Sequence, residues 1–208
     1  MTKAPLLGLF FSKNWIRGMR KYHITLILSS LLIGGQGRIL TADLENSNLR
    51  WLAEKVTGSH WGNVSLKKGV VEFKDDRLIS GEFIVDMTSI KVMDIKDSPW
   101  GDKLEAHLHA EDFFDTGKYP EAYFFLNSAL IKNKKIIING DLTIKDIKHP
   151  IEFTCEIIHS NGSASANGQM KIDRTLYDIT YRSADYYPDI GDRMIDDIFT
   201  IDFEIETK

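Results

Sequence analysis

Two histidines and three carboxylates lie close together in the middle of the chain. His107 and His109 are flanked by Glu105, Glu111 and Asp112, which are all residue types that bind metal ions. Histidines at positions i and i+2 of a helix point about 200° apart and cannot share one ion. The segment also lacks the His-Glu-x-x-His spacing of helical zinc sites. The pattern therefore favours a solvated, charged helix face.

The other candidate groups do not indicate a metal site or a catalytic site either. Asp94, Asp97 and Asp102 do not follow the alternate spacing of a calcium-binding loop. His149 precedes Pro150 at the start of a strand, where a turn role is favoured over catalysis. The sequence contains no Gly-x-Ser-x-Gly elbow, Walker loop or Gly-x-Gly-x-x-Gly fingerprint. We predict no catalytic residue, no metal and no cofactor. A catalytic barrel acting on a lipid or quinone-like substrate stays open, because barrels place catalytic groups without local motifs.

The chain has a single cysteine, Cys155, which cannot form an intramolecular disulfide. It shares an apolar face with Phe153 and Ile157, and no basic neighbour is available to lower its pKa. We interpret Cys155 as a buried core thiol and not as a nucleophile.

The elements that must position these residues are strands. In Phe199–Glu206, apolar and polar residues alternate strictly, which is typical of a half-buried antiparallel strand. Similar runs predict eight strands, a number typical of one closed barrel or a two-sheet sandwich. They cover residues 48–56, 62–74, 77–90, 121–131, 134–145, 149–160, 163–174 and 195–207. The face of 121–131 is ambiguous, because Tyr123 and Phe125 are as apolar as Phe124 and Leu126.

Two long connections separate these strands. The first contains the best helix candidate, Gly101–Asp112, in which Leu104 and Leu108 share a face and Phe113-Phe114 follow. The second, residues 177–193, is rich in tyrosine and punctuated by Gly and Pro. Loops of this length on a small barrel are usually functional or lid-like.

The N-terminal segment resembles a secretion signal. Residues 1–37 contain five basic and no acidic residues, and the apolar run 24–33 is half as long as the about twenty residues that a bilayer span needs. We predict a signal peptide over 1–37, with Met19 as an alternative start, and a mature domain over 38–208. The protein would then be periplasmic or secreted. A retained membrane anchor is the alternative, because the cleavage site lacks the usual alanines.

The charge of the predicted mature domain excludes some functions. Without the five basic residues of the leader, the formal net charge falls from −4 to −9, which argues against nucleic-acid binding. The outward faces carry residues such as Glu82, Glu152 and Glu204, whereas a barrel in a membrane needs an apolar outer band. The sequence therefore predicts a soluble barrel with an apolar interior.

Five blocks of sequence, in order, resemble the YceI-like family. They are Gly81–Ile90, Gly101–Leu108, Asp112–Ala122, Gly140–Ile151 and Ile172–Tyr177, and the likeness runs from about Leu49 to Glu206. The resemblance implies an all-β fold, an eight-stranded antiparallel lipocalin-like barrel with one short helix. It also implies binding of a polyisoprenoid or other long-chain lipid in an elongated apolar cavity. Many members have histidine at the end of the first strand, where this chain has Lys55.

The inward parity of the strands identifies the residues that we expect to contact such a ligand. They are Trp51, Phe73, Phe83, Val85, Phe124, Leu126, Ile138, Gly140, Leu142, Phe153, Ile172, Phe199 and Ile201, with Lys55 and Arg174 as polar candidates. Gly140 has no side chain, and we expect it to leave room for the ligand, although a strand glycine also serves as a bulge or corner. A barrel packed solid with its own aromatics is the alternative.

Lys55 and Arg174 both share inward faces near strand ends. Lys55 would bind a lipid phosphate or carboxylate, pair with a neighbour near Glu54, or extend into solvent. Arg174 would bind a phosphate bidentately or pair with an acidic residue of the 94–102 loop. The sequence thus predicts a carrier or reservoir for a long-chain lipid, with transient membrane contact as a further expectation. It does not predict the oligomeric state.

Overall fold

The computed structural model describes residues 37–133 and 135–208. The predicted signal peptide and the alternative start at Met19 lie outside the described residues, except for Gly37. Gly37, which the sequence placed last in the leader, is the first residue of a strand.

The described residues form nine strands and one α-helix. The bounds are β1 Gly37–Thr41, β2 Asn48–Lys55, β3 Gly58–Lys74, β4 Arg77–Val92, α1 Pro99–His109, β5 Glu121–Lys132, β6 Lys135–Ile144, β7 Ile147–Ser160, β8 Ser163–Asp173 and β9 Ile195–Glu206. A short 3₁₀ turn follows β8 at Arg174–Tyr177, and another precedes β9 at Gly191–Arg193.

All strand pairs are antiparallel, and the sheet closes on itself. Its order is β1-β3-β2-β9-β8-β7-β6-β5-β4, and β4 returns to pair with β3. β1 and β2 share one position, because β1 pairs with β3 from Val70 to Lys74 and β2 pairs with β3 from Gly58 to Val64. The predicted eight-stranded antiparallel barrel is therefore confirmed, with one of its eight positions divided between two strands.

The two ends of the barrel are built differently. One end, here called the mouth, contains the β2–β3 turn, residues 93–120 with α1, the β6–β7 turn and residues 174–194. The other, here called the hairpin end, contains the tight turns β3–β4, β5–β6 and β7–β8. Asp75, Asp76, Asn133 and Asn161 adopt positive φ in these turns, which Asp and Asn tolerate better than other side chains.

Helix α1 covers the mouth. Ser98 caps it by accepting a hydrogen bond from Gly101 N at 3.2 Å, and Pro99 occupies its first turn. The helix thus begins two residues before the predicted Gly101 and ends three residues before the predicted Asp112. Glu105 attaches it to β4 by accepting from Lys91 Nζ at 2.7 Å and from Val92 N at 3.1 Å. No helix in the described part of the chain has the length and hydropathy of a membrane span.

The apolar faces point inward as predicted for most strands. Leu49, Trp51, Val71, Phe73 and Ile201 are all buried. On β5 the structure resolves the ambiguous parity, because Phe124 and Leu126 pack against the core while Phe125 is 41% exposed.

The second long connection, residues 177–193, is buried in its first part. Tyr177, Ile179 and Ser183 are buried, and Ile179 and Ser183 have no measurable exposure. The first part of this segment, residues 177–183, therefore contributes to the packed core beside the mouth, whereas residues 185–189 are exposed.

Candidate functional site

The interior of the barrel contains two apolar cavities. The upper cavity, of about 170 Å³, lies beneath α1 at the mouth. Its walls come from strand residues such as Trp51, Val64 and Met87 and from Leu104 and Leu108 of the helix. Its polar lining residues, Glu54, Lys55, His60, Arg174 and Asp196, all belong to the mouth.

The lower cavity, of about 130 Å³, lies toward the hairpin end. Phe73, Phe83, Phe124, Phe153 and Phe203 line it. No charged residue is among the described residues of its wall. Apolar cavities of this kind remain dry and accept apolar ligands.

The two cavities share part of their walls. Leu49, Val85, Leu142 and Met170 line both, and we call these four residues the waist. The arrangement is one apolar interior narrowed in the middle by side chains. Met170 is unbranched and adapts its shape readily, so the waist contains at least one side chain that a ligand can displace at low cost.

Most of the sequence-predicted site residues line these cavities. The upper cavity receives Trp51, Lys55, Val85, Leu142, Ile172, Arg174, Phe199 and Ile201. The lower cavity receives Phe73, Phe83, Val85, Phe124, Leu126, Ile138, Leu142 and Phe153. Gly140 is the one predicted residue that lines neither. The alternative of a fully packed barrel does not describe this interior, although each cavity is small.

The expected space at Gly140 is filled by protein. A Cβ built on Gly140 would lie 2.5 Å from Phe124 Cζ and 2.6 Å from the Phe125 carbonyl oxygen. The Phe124 ring therefore occupies the room that the missing side chain leaves. Gly140 permits a close approach of ring and backbone, and the prediction that it makes room for a ligand is wrong.

Arg174 forms its hydrogen bonds with other groups of the protein. Its guanidinium donates to the carbonyl oxygens of Asp196, Ile179 and Ile195 at 2.7–3.0 Å and to Asp197 Oδ1 at 2.9 Å. Its side chain is 4% exposed. Burial lowers the pKa of Arg174, and the Asp197 carboxylate acts against that shift. Of the two predicted roles, the structural pair describes Arg174, with Asp197 of β9 in place of an acid from the 94–102 loop.

Lys55 stands at the mouth and is exposed. Within the described part of the chain, no carboxylate forms an ion pair with it. Its aliphatic stem contributes to the wall of the upper cavity while its ammonium is available to solvent, as lysines at apolar surfaces commonly are. Lys55 is therefore positioned to contact the polar end of a molecule whose apolar end lies in the barrel.

The cover of the upper cavity was not among the predicted site residues. It consists of Leu104, Leu108, Phe113 and Phe114, all of which line the upper cavity. Phe114 packs edge-on against Phe199 of β9, with ring centroids 6.1 Å apart. The shared face of Leu104 and Leu108 and the Phe113-Phe114 pair were visible signals, but the sequence does not say over which end of a barrel a helix folds.

The ionisable residues near the helix are held by structural contacts. His107 Nε2 lies 2.8 Å from Asp112 Oδ2, and the His107 ring packs edge-on against Tyr181. His109 contacts Thr116 Oγ1 at 2.9 Å and the Ile90 carbonyl oxygen at 3.2 Å. The residues that the structure describes form no group of three metal ligands. Cys155 is buried on the wall of the lower cavity, and burial raises its pKa to about 11, so its thiol is protonated at neutral pH.

Comparison with known proteins identifies the same fold. Residues 40–207 match the model of the YceI-like domain. A UPF0312 protein of Vibrio campbellii is 28% identical over 114 residues, which are 51% of this chain and 57% of that relative. The match thus spans just over half the length of the curated relative.

Two solved structures are similar to the barrel. Burkholderia cenocepacia BcnA aligns with a TM-score of 0.64 and 18% identity, over 79% of this chain and 98% of its own. A polyisoprenoid binding domain from Saccharophagus degradans, implicated in plant cell wall breakdown, aligns with a TM-score of 0.59 and 11% identity, over 81% of this chain and 97% of its own. At these identities the likeness shows a shared fold.

Proposed function

The chain belongs to the YceI-like family, and from this membership and its apolar interior we propose that it binds the tail of a long-chain lipid as a carrier or reservoir. A polyisoprenoid is the leading ligand class, because one protein of the same fold is described as a polyisoprenoid binding domain. The signal-like segment 1–37 further supports action outside the cytoplasm, in the periplasm or the medium.

The distribution of polar residues carries this proposal. Every charged residue on the cavity walls stands at the mouth, whereas the lower cavity is lined by aromatic and aliphatic side chains. A lipid with one polar end and one long apolar end matches this arrangement in a single orientation. Its polar end would lie beside Lys55, and its tail would extend past the waist toward Phe83 and Phe153.

The cavity volumes limit what can bind without rearrangement. An apolar cavity of about 150 Å³ accepts a benzene molecule, so each of the two cavities holds a segment of roughly six carbons. A longer tail must displace the waist side chains and lift the cover at Phe113 and Phe114. We therefore propose that this structure is the closed form and that binding widens the interior.

The energetics suit exchange and not permanent capture. Burying alkyl surface yields about 25 cal/mol per Å² relative to water. A lipid that leaves a membrane starts in apolar surroundings, so its transfer into the barrel is close to balanced. Carriage between membranes, or storage beside one, requires such a balance.

Contact between a lipid tail and Trp51 tests the proposal. Trp15→Phe, Trp61→Phe and Trp100→Phe together would leave Trp51, in the wall of the upper cavity, as the single tryptophan. A lipid with a brominated tail should then quench the fluorescence, and the same lipid without bromine should not. Absence of quenching at saturating lipid would contradict the proposal.

Cavity-filling variants make the test specific. Ala122→Leu fills the upper cavity and Ala166→Leu the lower one, and each should weaken quenching several-fold. Ala106→Leu, on the exposed face of α1, adds the same atoms outside and should leave quenching unchanged. Equal quenching in all three variants would place the lipid elsewhere on the protein.

A further inference from the structure

Strand β5 extends beyond its pairing with β4 in the barrel wall. β4 and β5 pair only from Glu82 with Phe125 to Asp86 with Glu121. Toward the hairpin end, β5 continues to Lys132 and pairs with β6 alone among the described strands. Residues 127–132 of β5 therefore have a free edge on the β4 side, whereas β6 pairs with β7 as far as Ile136.

This free stretch of β5 exposes apolar side chains on both of its faces. Leu130 is 59% exposed and Ile131 is 71% exposed. Adjacent residues of a strand point to opposite faces, so neither side of the hairpin tip covers both. Single exposed apolar residues are ordinary, but an adjacent pair beside a free strand edge favours contact with an apolar partner.

Lysines surround this apolar tip. Lys132 and Lys135 are exposed, and neither forms an ion pair within the described residues. Lys135 lines a surface recess that also contains Glu156, Asp202, Glu204 and Glu206, whereas Lys132 does not. The sequence from 122 to 140 contains these two lysines and Lys134 and no acidic residue. A locally basic segment in a domain with a formal charge of −9 is a marked asymmetry.

The mouth has the opposite charge. Segment 93–120 contains seven acidic and three basic residues, and segment 174–197 contains six acidic and three basic residues. The β5–β6 turn is therefore the more favourable of the two regions for contact with an anionic surface. Basic residues beside exposed apolar side chains are the combination that binds anionic bilayers at their interface.

From these observations we propose that the β5–β6 hairpin docks the protein on an anionic lipid bilayer, with Leu130 and Ile131 inserted among the acyl chains and Lys132 and Lys135 at lipid phosphates. Docking would hold the lower cavity close to the membrane, because Leu126 and Ile138 in its wall belong to the same two strands. This inference builds on the proposed lipid binding, but it concerns a different surface.

Vesicle co-sedimentation of the processed protein tests the docking. The described barrel closes on itself within residues 37–208, so a chain that begins near Arg38 keeps every strand of the barrel. We expect binding to vesicles of phosphatidylcholine with about one third phosphatidylglycerol, and weak binding to phosphatidylcholine alone. Salt at about 1 M should release the protein.

Paired variants locate the contact. Leu130→Ser with Ile131→Ser should lower the vesicle partition coefficient at least about tenfold, and Lys132→Gln with Lys135→Gln should lower it about 20-fold at low salt. The controls lie at the mouth: Val56→Ser with Leu176→Ser removes apolar groups that are 55% and 47% exposed, and Lys96→Gln with Lys103→Gln removes two exposed lysines. Both controls should stay within about twofold of the parent. All four variants change exposed side chains and should keep their Tm within about 2 °C.

The outcomes separate docking from lipid binding. Unchanged partition of the hairpin variants, or no binding to anionic vesicles, would overturn the docking proposal. Self-association through the hairpin, by a protein that does not bind vesicles, would also overturn the docking proposal. Mass spectrometry of the same samples measures how much lipid the barrel holds. A barrel that holds lipid in a protein that does not bind vesicles would refute docking alone. Vesicle binding by a protein whose barrel never takes up lipid would refute the carrier function alone.

Discussion

Asp197 joins Arg174 to the buried segment beside the mouth. Arg174 Nη2 donates to Asp197 Oδ1 at 2.9 Å, and Ser183 Oγ donates to Asp197 Oδ2 at the same distance. One carboxylate thus compensates a buried cation and holds a fully buried serine. The residue that the sequence offered as a phosphate ligand is therefore a support for the wall of the upper cavity.

Replacement of Asp197 should destabilise the protein strongly. Asp197→Ala leaves the Arg174 cation buried without a counter-ion, which typically costs about 3–5 kcal/mol. Asp196→Ala serves as the control, because Arg174 contacts only the backbone carbonyl of Asp196. Urea unfolding measures the free energy of unfolding of each, and equal losses would show that the ion pair has no special role.

Substitution of Gly140 should affect stability directly. The Cβ of Gly140→Ala would stand 2.6 Å from the Phe125 carbonyl oxygen, and the resulting overpacking should cost about 1–3 kcal/mol. Gly117→Ala is a matched control, since no heavy atom lies within 4 Å of its Cβ. A Gly140→Ala variant as stable as the parent would mean that Phe124 moves aside freely.

Acid should weaken the start of β5. The Lys67 ammonium, 2.6 Å from Glu121 Oε1, holds the pKa of Glu121 below its ordinary value of 4.5, assisted by the Tyr123 hydroxyl. A lowered pKa in the folded state gives stability that is present above pH 4.5 and disappears as the pH falls through the folded-state value. Glu121→Gln should lower the free energy of unfolding at neutral pH and have little effect in strong acid. Lys67→Met should reduce this pH-dependent difference, and a difference constant across pH would contradict the assignment.

Lys55 should select head groups without supplying the main affinity. We expect Lys55→Met to change which lipids co-purify and to leave the total lipid per protein nearly constant, because the apolar walls are untouched. Lipid profiling by mass spectrometry compares the two proteins, with Lys96→Met, also exposed at the mouth end, as control. If Lys55→Met empties the barrel, the head group dominates binding.

Strand parity made most of the barrel predictable. An alternation such as that of Phe199–Glu206 leaves one register for a half-buried strand, and Ile201, Phe203 and Ile205 are accordingly buried. The ends of strands were less accurate, because turn residues such as Asp146 signal a reversal only to within one or two positions. β1 was missed: five residues beginning with Gly37 have too short a pattern to separate from a leader.

Contacts between distant segments were not predictable. The space beside Gly140 depends on the rotamer of Phe124, which sits on the neighbouring strand. The partner of Arg174 lies 23 residues away, and the acidic loop 94–102 was an equally reasonable choice by composition. Sequence patterns specify on which face of a strand a residue lies. They do not specify which side chains from other segments contact that residue.

The central claim is that the apolar interior holds a lipid tail. Its most direct test is mass spectrometry of the protein, purified without detergent from cells that make it, before and after extraction with organic solvent. We predict one long-chain lipid per barrel, released by the solvent and depleted in Ala122→Leu but not in Ala106→Leu. A protein whose measured mass is that of the polypeptide alone, and that does not take up the brominated lipid afterwards, would contradict the account.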